Sequence, residues 1–257
     1  MGDARSPKTL ARFLAPDAAP GRKVVLSPEE AHHLRDVLRL RPGAEVLLLD
    51  LRGHEYLGRV ERVTRREVVV LVKELWRTEA PLKEITFLLP LLKKDHLAFL
   101  VEKAVELGVK RVVLVETART VVRAGERIRE KLRRRADQSL KQCRRLHALE
   151  IEGPVLLEEA AKLPAARKVF AYEAGGEKLP AEALKAESLL VLSGPEGGFT
   201  AEEAEMLRKE GFESVTLGRY ILRAETAAFY LMCLAHHQNL LGEDEVPEGR
   251  QNGPFLV

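Results

Sequence analysis

The sequence predicts an α/β chain: a small β-rich domain over residues 1–75, then a larger domain over residues 76–257 built on a parallel sheet flanked by helices. Three observations carry this expectation. From residue 84 onward, apolar strand-like runs alternate with helix-like ones, the order that βα units produce. Two of the strand-like runs, ending near Leu192 and Leu217, stop at glycine-containing turns that lead into helices. Between residues 45 and 75, β-rich runs are separated only by short turns, the spacing of a small all-β unit.

The elements follow in chain order. Ser27-Pro28-Glu29-Glu30 predicts a helix start with a capping box and an early proline, and the helix carries Leu34, Val37 and Leu38. Pro42-Gly43 makes a turn. Residues 45–50, 55–63 and 67–75 read as strands, and the alternation over 56–63 is that of a half-buried one. Residues 76–82 read as a linker. Beyond it come a strand at 84–92, a helix at 95–107, a strand at 111–116 and a long basic helix near 125–146. Strands at 168–172 and 189–193, a helix at 201–210, a strand at 214–217 and a helix at 224–241 complete the pattern. The tail from Gly242 has turn and charge composition.

Composition bounds the function. A chain of 257 residues with 46% apolar residues can bury a substantial core. No apolar run approaches the ~18–20 residues needed to span a bilayer, and the first residues lack an apolar signal segment, so no membrane partner is expected. The two cysteines, Cys143 and Cys233, have no zinc-like spacing, which predicts a reducing, cytoplasmic setting. The pairs His32-His33 and His236-His237 lack companion ligands, so no metal is expected. Charge is abundant at 32% but nearly balanced at +3, and the scarcity of Asn and Gln hints at a thermophile.

The most informative stretch is Ser193-Gly194-Pro195-Glu196-Gly197-Gly198-Phe199-Thr200, with Thr200 as N-cap and Glu203 completing a second capping box. A strand ending in such a turn brings bare backbone to the carboxyl edge of a sheet, where open α/β folds place ligands. The turn has neither the GxxxxGK[ST] order of a phosphate loop nor the GxGxxG order of a dinucleotide fold. Either glycine turn alone is compatible with an ordinary βα connection. A second one at Leu217-Gly218, followed by Arg219-Tyr220-Ile221-Leu222-Arg223-Ala224-Glu225, points to a shared ligand site.

LSGPEGGFT followed by LGRYILRAETAA resembles the paired signature of the SPOUT class of RNA methyltransferases. Within it, the chain is most similar to the ribosomal RNA small subunit methyltransferase E family, which methylates N3 of a uridine in 16S rRNA. EKAVELGV at 102–109 is similar to that family's helix after its first core strand. Asp137-Gln138-Ser139 stands where the family has Glu-Gln-Ser, and HHLRDVLRLRPG at 32–43 is similar to its N-terminal signature. The resemblance implies a PUA-like β-barrel at the N-terminus, a C-terminal trefoil knot, a homodimer, and S-adenosyl-L-methionine as cofactor. It also implies a cofactor pocket made by Leu192, Gly194, Pro195, Glu196, Gly197, Gly198, Leu217, Gly218, Ile221, Leu222, Arg223 and Ala224, with Tyr172-Glu173 at its border.

Uracil N3 carries a proton at neutral pH, so the reaction needs a base or a cation that stabilises the anion. Arg223 is the expected stabiliser, with Glu196 or Glu225 as base; Glu225 sits at a helix N-terminus, where a dipole-favoured structural role suits it better than that of base. Tyr220 is expected to pack in the knot rather than stack on a base. Residues 119–145 hold eleven Lys/Arg and three acids, the footprint of a phosphate-binding surface as much as of a solvated helix face. Arg133, Arg134 and Arg135 lie at its centre. Arg12 and Arg39 match the family's N-terminal motif positions for RNA, with Arg35 and Arg41 nearby. The helix at 224–241 is apolar on more than one face, as an interface helix would be. Two other functions fit the same motifs: a SPOUT ribose 2′-O-methyltransferase acting on tRNA or 23S rRNA, and a non-catalytic RNA-binding module in ribosome assembly.

Overall fold

The computed structural model describes residues 10–120, 127–178 and 184–240. They form two compact units: the chain through Pro81 together with Ala136–Ala148, and Leu82–Arg135 together with the chain from Leu149 onward.

The first unit is a five-stranded sheet ordered β1-β3-β4-β5-β2, with β1 Arg12–Leu14, β2 Lys23–Val25, β3 Glu45–Leu49, β4 His54–Val63 and β5 Val68–Thr78. Only the β1–β3 pair is parallel. Phe13, Leu34, Val46, Leu48, Val60, Val68, Val70 and Val72 form its core. β5 runs to Thr78, opposite His54, so the first residues of the expected linker extend this ladder. β1 and β2 are three residues each, too short to show a period.

α1, Pro28–His32, starts where expected, with Ser27 Oγ accepting from the Glu30 amide at 3.3 Å. The capping box is incomplete. The Glu30 carboxylate turns inward instead, accepting from the Leu14 amide at 3.2 Å and from Lys141 Nζ at 2.6 Å. A wider helical turn over His33–Val37 follows and ends at Arg39, whose φ is +54°.

The second unit is a seven-stranded sheet whose neighbouring strands all run parallel, ordered β10-β12-β9-β11-β6-β7-β8. Its strands are β6 Glu84–Pro90, β7 Arg111–Glu116, β8 Glu150–Leu156, β9 Arg167–Ala171, β10 Glu177–Lys178, β11 Ser188–Leu192 and β12 Glu213–Thr216. Its helices are α2 Lys94–Glu106, α3 Arg127–Cys143, α4 Leu157–Ala160, α5 Ala201–Lys209 and α6 Ala224–Leu240; part of α3 belongs to the first unit. The continuous apolar runs of the inner strands reflect burial on both faces. Leu88, Val113, Val115, Leu190 and Leu192 pack with Leu157, Phe199, Leu207 and Phe212, while the alternate residues Phe87, Leu89, Val112, Leu114 and Val191 are equally buried. Phe170 anchors the first face, edge-on to Phe199 at 5.8 Å and Phe212 at 6.3 Å. α2 meets α6 through Phe99 and Phe229, edge-on at 5.6 Å.

β8 was not foreseen. It carries Gly153-Pro154 and is tolerated because it stands at the sheet edge. From β6 to β8 the chain steps outward strand by strand. It then crosses to β9 on the far side of β11, which makes a topological switch point near β11 and β6, the position where such sheets bind ligands.

Candidate active site

At that switch point the carboxyl ends of four neighbouring strands open into one cleft of about 420 Å³, within the ~300–1,000 Å³ usual for small-molecule sites. β6 contributes Lys93 and, through α2, His96. β9 contributes Tyr172 and Glu173, β11 leads to Gly194, Pro195, Glu196 and Gly198, and β12 leads to Leu217 through Ala224, with Glu225 from α6. The two glycine turns therefore share one cavity.

The first turn is built for close approach. Gly198 has φ +67°, and a Cβ there would lie 2.6 Å from Glu173 Oε1. Its amide donates to Pro195 O at 2.9 Å. α5 then starts with a complete capping box: Thr200 Oγ1 accepts from the Glu203 amide at 3.1 Å, and Glu203 Oε2 accepts from the Thr200 amide at 2.8 Å. The other oxygen of Glu203 accepts from the Ala118 amide at 2.7 Å, and Arg119 Nη1 donates to Gly197 O at 2.5 Å. The loop after β7 is thus fastened to the glycine turn. Glu203→Ala removes the cap and leaves the Ala118 amide unpaired, an expected loss of about 2–3 kcal/mol. Thermal unfolding should show a Tm lower by roughly 5–10 °C; an unchanged Tm would contradict the assignment.

The second turn is more open. Thr216 Oγ1 donates to Gly218 O at 3.3 Å, and Gly218 has φ +146°. Tyr220 is 73% and Ile221 86% exposed, so Tyr220 is not packed inside the fold as expected. Its ring lies 5.1 Å beneath the Arg219 guanidinium. Ile221 and Leu222 line the cleft, Ile221 only at its rim.

Most of the anticipated pocket residues line the cleft; Leu192 and Gly197 do not. Leu192 is fully buried in the core beside Leu88 and Phe170, because the last strand residue points into the sheet's packed face. Gly197 faces Arg119 rather than the cavity, and a Cβ there would meet the Arg119 side chain at 3.2 Å. Arg223, Glu196 and Glu225 all line the cleft. Glu196 Oε1 accepts from the Lys93 amide at 3.5 Å, and Glu225 Oε2 lies 3.5 Å from His96 Nδ1. Lys93 and His96 were missed: a lone helical histidine and a surface-type lysine carry no motif, and only the fold brings them here.

The basic residues divide. Arg12 is drawn into an ion pair with the buried Glu55 at 2.9 Å, its side chain 15% exposed, and desolvation lowers its pKa, partly offset by Glu55. Arg77 sits on the other oxygen of Glu55 at 3.3 Å. Arg39 is exposed. On α3, Arg133, Arg134 and Arg135 are exposed; Arg134 pairs with Glu130 and Arg135 with Glu102, each at 2.5 Å. Lys141 is tied to Glu30, and Arg145 is buried and donates to the carbonyls of His147 and Ala148. Arg123 lies outside the described residues.

Comparison with known proteins decides the family. Residues 78–236 match the RNA methyltransferase domain family and residues 26–73 the RNA methyltransferase PUA domain family. Ribosomal RNA small subunit methyltransferase E of Aquifex aeolicus is 30% identical over 217 residues, covering 83% of this chain and 94% of the relative. The chain belongs to the ribosomal RNA small subunit methyltransferase E family. The Bacillus subtilis member is 29% identical over 86% of this chain and 92% of its own. The solved family member from Neisseria gonorrhoeae, bound to S-adenosyl methionine, superposes with a TM-score of 0.78 at 27% identity, covering 87% of this chain and 95% of that one. A methyltransferase from Legionella pneumophila in complex with SAM gives a TM-score of 0.83 at 25% identity, over 90% of this chain and 98% of the other. A SPOUT-like methyltransferase unit with a PUA-like N-terminal unit is therefore the fold of this family member, as the two motifs implied.

Proposed function

We propose that this chain methylates N3 of a uridine in 16S rRNA of the small ribosomal subunit, with S-adenosyl-L-methionine as donor. The observation that carries the reading is the meeting of both glycine turns in one cleft; family membership supports it. The cleft suits the donor chemically. Backbone is bared at Gly194 and Gly198, Leu217 and Leu222 offer apolar wall, and Glu173, Glu196 and Glu225 line a cavity that would receive a cationic group. When bound, S-adenosylmethionine supplies an electrophilic methyl group.

The residues would act as follows. The turns Gly194–Gly198 and Leu217–Ala224 hold the donor and fix its orientation relative to the base, the main task in an in-line transfer. Arg223 stabilises the negative charge that develops on the uracil carbonyl oxygens as N3 loses its proton. A neighbouring group accepts that proton. Incubating the protein with undermodified small subunits and labelled donor, then mapping the product nucleoside by mass spectrometry, tests the reading. Label on a ribose or on another RNA would overturn it.

The exposed cations Arg39, Arg127, Lys131 and Arg133 are the proposed phosphate contacts, Arg134 and Arg135 joining them when their carboxylate partners yield. Each contact should steepen the dependence of log K on log salt by about 0.7–0.9. Reversing Arg133 to Glu should flatten the slope measured by filter binding; an identical slope removes Arg133 from the interface. The homodimer belongs to the same proposal and is supported by the exposed Tyr220, Ile221 and Tyr230 around α6. The C-terminal trefoil knot and a cytoplasmic setting belong to it as well. Among the described residues, no helix is long and apolar enough to cross a membrane, and no group of three or more His, Cys, Asp or Glu is placed to hold a metal ion.

A further inference from the structure

The cleft holds an imidazole that no motif announced. His96 lies in the first turn of α2, with Nδ1 3.5 Å from Glu225 Oε2 on α6. That nitrogen is buried and makes no hydrogen bond, yet the side chain as a whole is 38% exposed. The open part of the ring is therefore the edge away from Nδ1, and His96 is part of the cleft lining. An imidazole with one nitrogen turned to a carboxylate and the other edge open to a cavity is the arrangement of an oriented base. The carboxylate favours the proton on Nδ1, leaving the Nε2 lone pair outward, and it stabilises the imidazolium that forms. Such contacts are often long in free sites and tighten with substrate.

We propose that His96 is the proton acceptor in the methyl transfer and that Glu225 positions it. The proposal rests on the uridine reading above. Uracil N3 gives its proton to His96 Nε2 while the N3–CH3 bond forms. The bond that breaks joins the methyl carbon to the sulfonium sulfur, which keeps the electron pair and leaves as a neutral thioether. The imidazolium, held against Glu225, then releases the proton to water. The competing carboxylates are less suited. Glu225 faces the imidazole, and Glu196 receives the Lys93 amide at 3.5 Å. The charged groups that line the same cleft are Glu225 from α6, Glu196 and Glu173 from the strand-end turns, Lys93 beside α2, and Arg219 and Arg223 before α6. All of them enter its pH response.

The test compares the pH dependence of kcat/KM on undermodified small subunits for the wild type and His96→Gln, with S-adenosylmethionine binding followed by calorimetry. His96→Gln should bind the donor within about threefold of wild type, lose roughly 100-fold or more in kcat, and lose the acid limb of the profile. His96→Ala should recover part of its rate with added imidazole, whereas a structural role would not respond. A His96→Gln protein within about twofold of wild type with the same profile overturns the proposal. If His96→Gln no longer binds donor, imidazole rescue of His96→Ala decides: rescue supports the role, and none overturns it. A wild type that methylates no uridine instead brings down the functional reading, a different and separately visible failure.

Discussion

Arg223→Ala is expected to lower kcat by about 100- to 1,000-fold, the usual cost of removing one group that stabilises developing negative charge. The residue is exposed, lines the cleft, and precedes the first turn of α6, where its carbonyl accepts from the Ala227 amide at 2.9 Å. Its side chain is in no buried network, so the melting temperature should stay within the range typical of surface substitutions. Steady-state kinetics with saturating subunits, paired with calorimetric donor binding, separates two roles. A fall in kcat with donor affinity intact assigns Arg223 to the uracil anion. A rise in donor Kd with kcat retained assigns it to the donor's carboxylate. Full activity removes it from the site.

Gly198→Val should weaken donor binding by at least about 100-fold. A β-branched residue at φ +67° is strained by roughly 1–2 kcal/mol or more, and its Cβ would also stand 2.6 Å from Glu173 Oε1. Both effects deform the turn that lies between β11 and α5 and lines the cleft. Calorimetry reads the result directly. Wild-type affinity in a folded Gly198→Val protein would exclude this turn from the pocket. Gly211→Val makes a useful contrast, since that glycine also has positive φ, at +86°, but its Cβ would meet nothing within 4 Å. It should cost stability without affecting donor binding beyond that loss.

Much of the second unit was legible because its punctuation is strong. Gly-Pro and Gly-Gly, followed by Thr200 and Glu203, mark the β11–α5 boundary with local chemistry that the fold leaves intact. What escaped reading was decided by tertiary context. β8 hides behind Gly153-Pro154, which argue against an interior strand and are accepted only at an edge. Glu30 has the spacing of a cap, yet a half-buried lysine claims its carboxylate. His96 and Glu225 meet because β6 and β12 both feed one sheet edge, a fact no local pattern contains. In the basic run the sequence counts charges but not their fate: Arg145 turns inward while Arg133 remains in solvent. Tyr220 shows the reverse error, an aromatic assigned to packing that stands in the open.

The Glu203 carboxylate has each oxygen occupied by a different segment, one by the start of α5 and one by the loop after β7. These two pieces of backbone consequently behave as a single mechanical part. Freeing the Ala118 amide would release one oxygen of the carboxylate that also caps α5, the helix that follows the cleft-lining glycine turn.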